Sequence, residues 1–181
     1  MDSLRRQSRV VVPRDAGGWA FDFAPLRAPT LNEDLRLRDF TVNAVAWPLS
    51  PNPPRREKLV DPCGGLADIE FRRLRACSAR VFHDDPLRVL RGVRLAATLG
   101  MEIDNESFAL MGEAAPKLAA VAAERIQGEL ALILATARGG ESLARLRDLG
   151  LPPLLFGTPE AGGSWEEGAS QVARIDRKSV V

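Results

Sequence analysis

The sequence contains no tyrosine, one histidine, two cysteines and only three lysines among its 181 residues. Each scarcity excludes something. Cys63 and Cys77 stand fourteen apart with no CxxC, and a single histidine cannot complete a ligand set. Neither a disulfide framework nor a zinc site is supported, and reduced thiols in a cytoplasmic protein are the default expectation. No run of about 20 apolar residues occurs, which excludes a transmembrane helix and, with it, a membrane partner. The amino terminus, MDSLRRQSRVVVPRD, lacks the apolar stretch of a signal peptide. GxxxxGK[ST] is absent, so there is no P-loop.

What is abundant is arginine. Lys58, Lys117 and Lys178 are the only lysines among 25 basic residues, although the net charge is just +1. Arginine offers a planar fork suited to phosphates and base edges, while a GC-rich genome produces the same bias with no function attached. The two readings weigh equally. Between residues 72 and 94 seven arginines face two aspartates, a local charge of +5 that suits triphosphate or RNA backbone, or simply a solvated face.

The chain changes character near residue 84. Before it, β-type runs alternate with turn chemistry. Strands are expected at Arg9–Val12, Trp19–Ala24, Thr41–Trp47 and Lys58–Val60, with a short helix at Asn32–Arg38 capped by Asn32 and a proline-rich loop at 48–54. Behind residue 84 helical patterning takes over. Leu87, Leu90, Val93 and Ala97 form one stripe that Gly100 stops. Asp104 or Asn105 caps the next helix, and two more are expected over Ala119–Ala137 and Glu141–Leu149. The pattern predicts units at 1–83 and 84–157 and a flexible tail at 158–181, where apolar periodicity is too sparse for structure.

Three segments carry candidate chemistry. LRDFTVNAVA sets the pair Arg38-Asp39 before an apolar run containing Asn43; taken in isolation it reads as a surface ion pair followed by a strand. In LVDPCGGLADI, Asp61 starts a turn, Gly64 and Gly65 allow close backbone approach, and Asp68 falls inside the following helix. That spacing fits a tight strand-to-helix connection or hinge better than a phosphate cradle. In HDDPLRVLRGVR, Asp85 and Arg88 lie three apart, hence on one helical face near its start. Together they present an acceptor beside a donor. Cytosine and adenine show an amino group next to an unprotonated ring nitrogen, the complement of that pair, whereas uracil and guanine would set like against like. For an isolated helix, an N-cap and a surface arginine explain the same residues. His83 precedes the cap and receives no catalytic role.

LRLRDFTVNAVA, DPCGGLADI, DDPLRVLRGVRLAATLG and AAERIQGEL resemble, in order and spacing, successive motifs of the class II (bacterial-type) tRNA nucleotidyltransferases and poly(A) polymerases. The resemblance spans about Val10 to Phe156. It implies an α+β fold: the back part of a polymerase-beta-like nucleotidyltransferase head over 1–83, then an all-helical neck that binds RNA and nucleotide. It further implies transfer of NMP from CTP or ATP to an RNA 3′-hydroxyl, the tRNA 3′ end above all, with release of pyrophosphate. On this match Arg38 and Asp39, with Asn43 in the same motif, contact triphosphate and ribose. Asp85 and Arg88 pair with the base edge, with Arg91 one turn further along the basic strip. Asp61, Gly64, Gly65 and Asp68 form the head–neck connection, and Glu124, Arg125 and Glu129 a structural neck motif.

The sequence departs from the family in three places. Leu37 stands where many relatives carry an arginine, and Asp84 replaces the usual glutamate. The D-x-D pair that binds two Mg²⁺ ions is missing, leaving Asp22 as a lone auxiliary carboxylate and no metal ligands. The chain therefore reads as a fragment lacking the N-terminal part of the catalytic head, inactive by itself. Two rivals remain: a non-catalytic RNA- or nucleotide-binding module, and a structural partner of a separate catalytic head. CCA, CC, A and poly(A) addition share these motifs.

Overall fold

A computed structural model describes residues 8–12, 18–49 and 58–156. The expected tail at 158–181 and most of the proline-rich loop lie outside the described residues. Ser8–Val12 (β1) and Trp19–Phe23 (β2) pair antiparallel, with Val10 opposite Phe21 and Val11 opposite Ala20. Val10, Val11, Phe21 and Phe23 are exposed, and none joins the hydrophobic core.

Leu31–Arg36 (α1) begins one residue earlier than expected because Thr30, not Asn32, caps it. The Thr30 hydroxyl accepts the Glu33 N–H at 3.3 Å, and the Glu33 carboxylate accepts the Thr30 N–H at 3.0 Å. This reciprocal box satisfies two amide groups that a helix start leaves orphaned. The strand expected over Thr41–Trp47 is instead a 3₁₀ turn, Thr41–Asn43, with isolated bridges joining Phe40 to Ala76 and Ala46 to Val60. Local side-chain bonding wins over β propensity there. The Thr41 hydroxyl donates to Asp68 at 2.7 Å, and the Asn43 amide donates back to Asp39 at 3.0 Å, so the chain curls. At Lys58–Val60 only Val60 pairs.

Gly65–Glu70 (α2) starts where the Asp61 carboxylate accepts the N–H groups of Gly65 and Leu66 at 2.7 and 2.9 Å. Gly64 precedes it at φ +77°, a conformation that disfavours any side chain. Gly65 is constrained by space: a Cβ there would stand 2.0 Å from the Thr41 carbonyl oxygen. Arg73–Leu74 (β3) runs parallel to Glu102–Ile103 (β4), tying the front of the chain to the helices behind.

Asp68 on α2 has no exposed surface. It accepts from Thr41, from Arg75 Nε at 3.0 Å and from Arg73 Nε at 2.7 Å. Burial alone would raise its carboxyl, but the bonds from Thr41, Arg75 and Arg73 outweigh that and hold it below the ordinary 3.8. Cys63 and Cys77 are free thiols, and burial pushes the Cys77 thiol up.

Val81–Asp84 (α3) is a single turn, and Arg88–Leu99 (α4) follows after a break at 85–87. Leu90, Val93 and Ala97 of the expected stripe are buried on α4, joined by Val89, whereas Leu87 precedes the helix and is only half-buried; the helix ends at Gly100. Asp104 caps Asn105–Ala114 (α5), which continues as a 3₁₀ turn over Ala115–Ala120. Ala123–Leu134 (α6) and Gly139–Asp148 (α7) both pack on α4, and Pro152–Phe156 (α8) closes the described chain. One core joins the two parts: Phe40 and Leu74 from the front cluster with Phe82, Val89, Leu90 and Val93, and the Phe40 and Phe82 rings meet edge to face at 5.9 Å.

Two outcomes are expected. Gly65→Ala costs at least about 2 kcal/mol in urea denaturation, since the added methyl meets backbone rather than a movable side chain. The depressed Asp68 pKa contributes stability that is present above 3.8 and disappears as pH falls through its lower folded value. Urea midpoints should begin to fall as pH drops below 3.8 and level off below the folded value, and Asp68→Asn should flatten that fall while lowering the plateau by about 2 kcal/mol.

Candidate functional site

A polar cleft of about 260 Å³ opens where the segment after α1, the 85–87 break with the start of α4, and α6 converge. Its walls carry five arginines (27, 38, 88, 91 and 125) against Asp39, Asp85 and Glu129, an excess of two positive charges. Asn43 and Leu87 complete the lining.

Asp39 is nearly buried and held from three sides. Its Oδ1 accepts its neighbour's amide (Phe40 N–H, 2.8 Å) and the Asn43 amide, and Arg91 Nε lies 2.5 Å from its Oδ2. Arg38 turns to a different carboxylate, donating from Nε and Nη2 to Asp34 Oδ2 at 3.2 and 2.8 Å. Arg38-Asp39 is thus not a mutual ion pair. Each residue is fixed by a separate partner, and both face the cleft.

Asp85 is not on a helix. Proline at 86 disfavours helical conformation in the residue before it, and Asp85 is extended at φ −148°, ψ 101°. The expected shared helical face of Asp85 and Arg88 is therefore corrected: α4 begins at Arg88, and its N-cap position is Leu87, with no side-chain cap. Asp85 Oδ1 instead accepts the Leu87 N–H at 3.2 Å, while Oδ2 accepts Arg125 Nη2 at 2.8 Å. Arg88 donates to the backbone carbonyls of Val81 and Leu37 at 3.3 and 3.5 Å. The two side chains still line one cleft, brought there by a turn rather than by helical spacing.

All six sequence-predicted nucleotide residues, Arg38, Asp39, Asn43, Asp85, Arg88 and Arg91, line this cleft. Arg125 and Glu129 line it too, although their motif reads as structural. They sit four apart on α6, so both face α4, where Glu129 bonds Arg94 Nε at 2.7 Å. Arg27 also lines the cleft, and nothing in its sequence context signals that. Asp61, Gly64, Gly65 and Asp68 stand behind the 3₁₀ turn rather than in the cleft. Glu124 is exposed in the first turn of α6, and Asp22 is exposed on β2 away from the lining. Among the described residues no three His, Cys, Asp or Glu side chains gather as a metal site.

A family model described as the poly A polymerase head domain matches residues 4–75, and one described as the probable RNA and SrmB-binding site of polymerase A matches 100–161. The CC-adding tRNA nucleotidyltransferase of Geobacter sulfurreducens is 39% identical over 169 residues, covering 93% of this chain. The chain spans only 38% of that relative's length. Among solved structures, a CCA-adding enzyme with ATP superposes with a TM-score of 0.77 at 27% identity, over 92% of this chain and 40% of the other. A complex of a CCA-adding enzyme with CTP gives 0.77 at 25% identity, over 97% and 44%.

The Arg94–Glu129 pair, whose side chains are only 19% and 13% exposed, joins α4 to α6 at the cleft wall. Glu129→Ala strands the guanidinium and should cost about 3 kcal/mol, whereas replacing both by Met should lose far less. Chemical denaturation of Glu129→Ala and of the double Met variant measures the difference.

Proposed function

We propose a function from one premise: the chain belongs to the family of tRNA nucleotidyltransferases and poly(A) polymerases. It forms the base-reading and triphosphate-holding part of an RNA 3′-end nucleotidyltransferase that takes CTP and ATP. The observation that carries this reading is the single cleft shared by Arg38, Asp39, Asn43, Asp85, Arg88 and Arg91.

In this proposal the arginine-rich wall receives the polyphosphate, and Asp85 and Arg88 face the base. An ionised Asp85 only accepts hydrogen bonds and Arg88 only donates them. That pair suits the amino group and bare ring nitrogen of cytosine or adenine and sets acceptor against acceptor with uracil or guanine. The RNA 3′-hydroxyl attacks the α-phosphate and pyrophosphate leaves. Residues 100–156, within the segment matched by the RNA-binding family model, face the tRNA end, and Asp61, Gly64, Gly65 and Asp68 act as the joint between head and neck.

Magnesium would supply hydroxyl activation and charge neutralisation in the intact enzyme. The carboxylates described here do not fit a two-metal clamp, because Asp39, Asp85 and Glu129 are each committed to an arginine. The sequence also has no D-x-D. What these residues do is bind and orient. Among the described residues no helix is long and apolar enough to cross a membrane, and we assign the protein to the cytoplasm.

The isolated chain should bind CTP and ATP in preference to UTP and GTP, yet add no nucleotide to a tRNA lacking its end when Mg²⁺ and labelled CTP are supplied. Equal affinity for all four nucleotides would reject the base-reading assignment. Extension at a family-like rate would show that the metal site was misplaced. In a full-length enzyme carrying this segment, Asp85→Ala should lower the C-over-U ratio of kcat/KM by about tenfold or more. An unchanged ratio would remove Asp85 from base selection even if turnover fell.

A further inference from the structure

Asp34 is 1% exposed, and the nucleotide reading gives it no task. One of its oxygens, Oδ1, accepts the Arg27 backbone N–H at 2.7 Å and lies 3.7 Å from Arg27 Nε. The other, Oδ2, accepts both Nε and Nη2 of Arg38. A single carboxylate therefore holds two arginines that are remote from each other in the chain, one before α1 and one after it. Both side chains remain about two-fifths exposed, at 42% and 41%, and both line the cleft. Burial would raise the Asp34 carboxyl, but the Arg27 N–H, the Arg38 hydrogen bonds and both guanidinium charges together lower it.

Pinning a loop to a helix needs only one hydrogen bond. Burying a carboxylate is costly, and matching it with two guanidiniums leaves a net positive charge at the cleft rim. Among the described residues, Arg38 Nη1 and the two Nη atoms of Arg27 make no hydrogen bond to protein. Arg38 is held through its fork and Arg27 through its backbone N–H and a looser 3.7 Å ion pair, so one anchor keeps two guanidiniums with spare N–H donors on the lining of one cleft, the kind of donor set that a phosphate group takes up.

We propose that Asp34 is a positioning residue that sets Arg27 and Arg38 as a two-arginine clamp on the polyphosphate of the bound nucleotide, with Arg27 touching it directly. The proposal rests on the reading of the cleft as a nucleotide site. It extends that reading to a residue with no motif behind it.

The test uses the full 181-residue chain. Affinities for ATP, AMP and adenosine are measured by calorimetry for the unaltered protein, Arg27→Met and Asp34→Asn, alongside thermal midpoints. Arg27→Met should weaken ATP about tenfold, AMP less and adenosine hardly at all, at an unchanged midpoint. The slope of log affinity against log salt should also become shallower, as one phosphate contact is lost. Asp34→Asn should show the same ordering of ligands. ATP affinity unaltered by Arg27→Met overturns the clamp. Equal losses for ATP and adenosine in Asp34→Asn, in step with a lowered midpoint, make Asp34 a purely structural anchor and overturn the positioning role. If Asp34→Asn does not fold, the Arg27→Met comparison decides alone. Failure of the unaltered chain to bind ATP or CTP rejects the nucleotide reading itself, and the clamp with it, an outcome distinct from binding that the variants leave intact.

Discussion

A carboxylate without exposed surface has to be matched donor for donor, and Asp68 is matched by Thr41, Arg73 and Arg75. Those partners come from two segments, so the ion cluster fixes the 3₁₀ turn at Thr41–Asn43 against α2 and β3. Everything on the front wall of the cleft hangs from that turn. Arg38 and Asp39 immediately precede it and Asn43 ends it. Gly65 is the steric half of the same constraint, because only a residue without Cβ lets the start of α2 come so close to the Thr41 carbonyl. The motif containing Asp61, Gly64, Gly65 and Asp68 thereby supports the cleft without lining it.

The rear wall is organised around α4. Its buried stripe places the helix in the core, where Phe40 and Leu74 meet it from the front, while α6 and α7 pack on it from behind. Arg91 crosses to Asp39 and Arg94 to Glu129, so one helix sends an arginine to each wall. The half-exposed pairs contribute little to stability beyond geometry, because their charges remain solvated. Arg94–Glu129 differs in being mostly withdrawn from water, and it ties α6 to α4 one turn from Arg125, which reaches Asp85.

Legibility followed the range of the interactions. Leu90, Val93 and Ala97 of the α4 stripe and the Gly100 stop are local signals that read correctly from spacing, and of the two candidates for the next cap the structure selects Asp104. Thr41–Trp47 misreads as a strand because its polar side chains bond to Asp68 and Asp39, and the first of those partners lies 27 residues away. At Asp85 the acidic residue and proline look like a cap and a first helical turn. The extended conformation imposed before Pro86 instead delays the helix to Arg88. The motifs name six lining residues, but Arg27 and the cleft-facing role of Arg125 depend on tertiary neighbours that no periodicity encodes. Pro152 at the head of α8 is a helix-start signal, but the apolar run PPLLF is too short to show a helical period.

The same tertiary neighbours bear on how a turn can read a base. A side chain outside a helix loses the orientation that helical backbone supplies, and Asp85 recovers it from two donors. The Leu87 N–H fixes one oxygen and Arg125 the other, so the plane of the carboxylate is set from both ends. Arg88 is fixed in turn by the carbonyls of Val81 and Leu37, which leaves its direction independent of Asp85. Were the two paired with each other, a base edge would first have to break that bond before meeting either group. With separate partners, acceptor and donor both line the cleft unpaired with each other, and on the proposed reading an incoming base has no Asp85–Arg88 bond to break. On the proposed reading, discrimination between bases then depends on α6 as much as on the turn, since Arg125 supplies half of the restraint on the residue that selects.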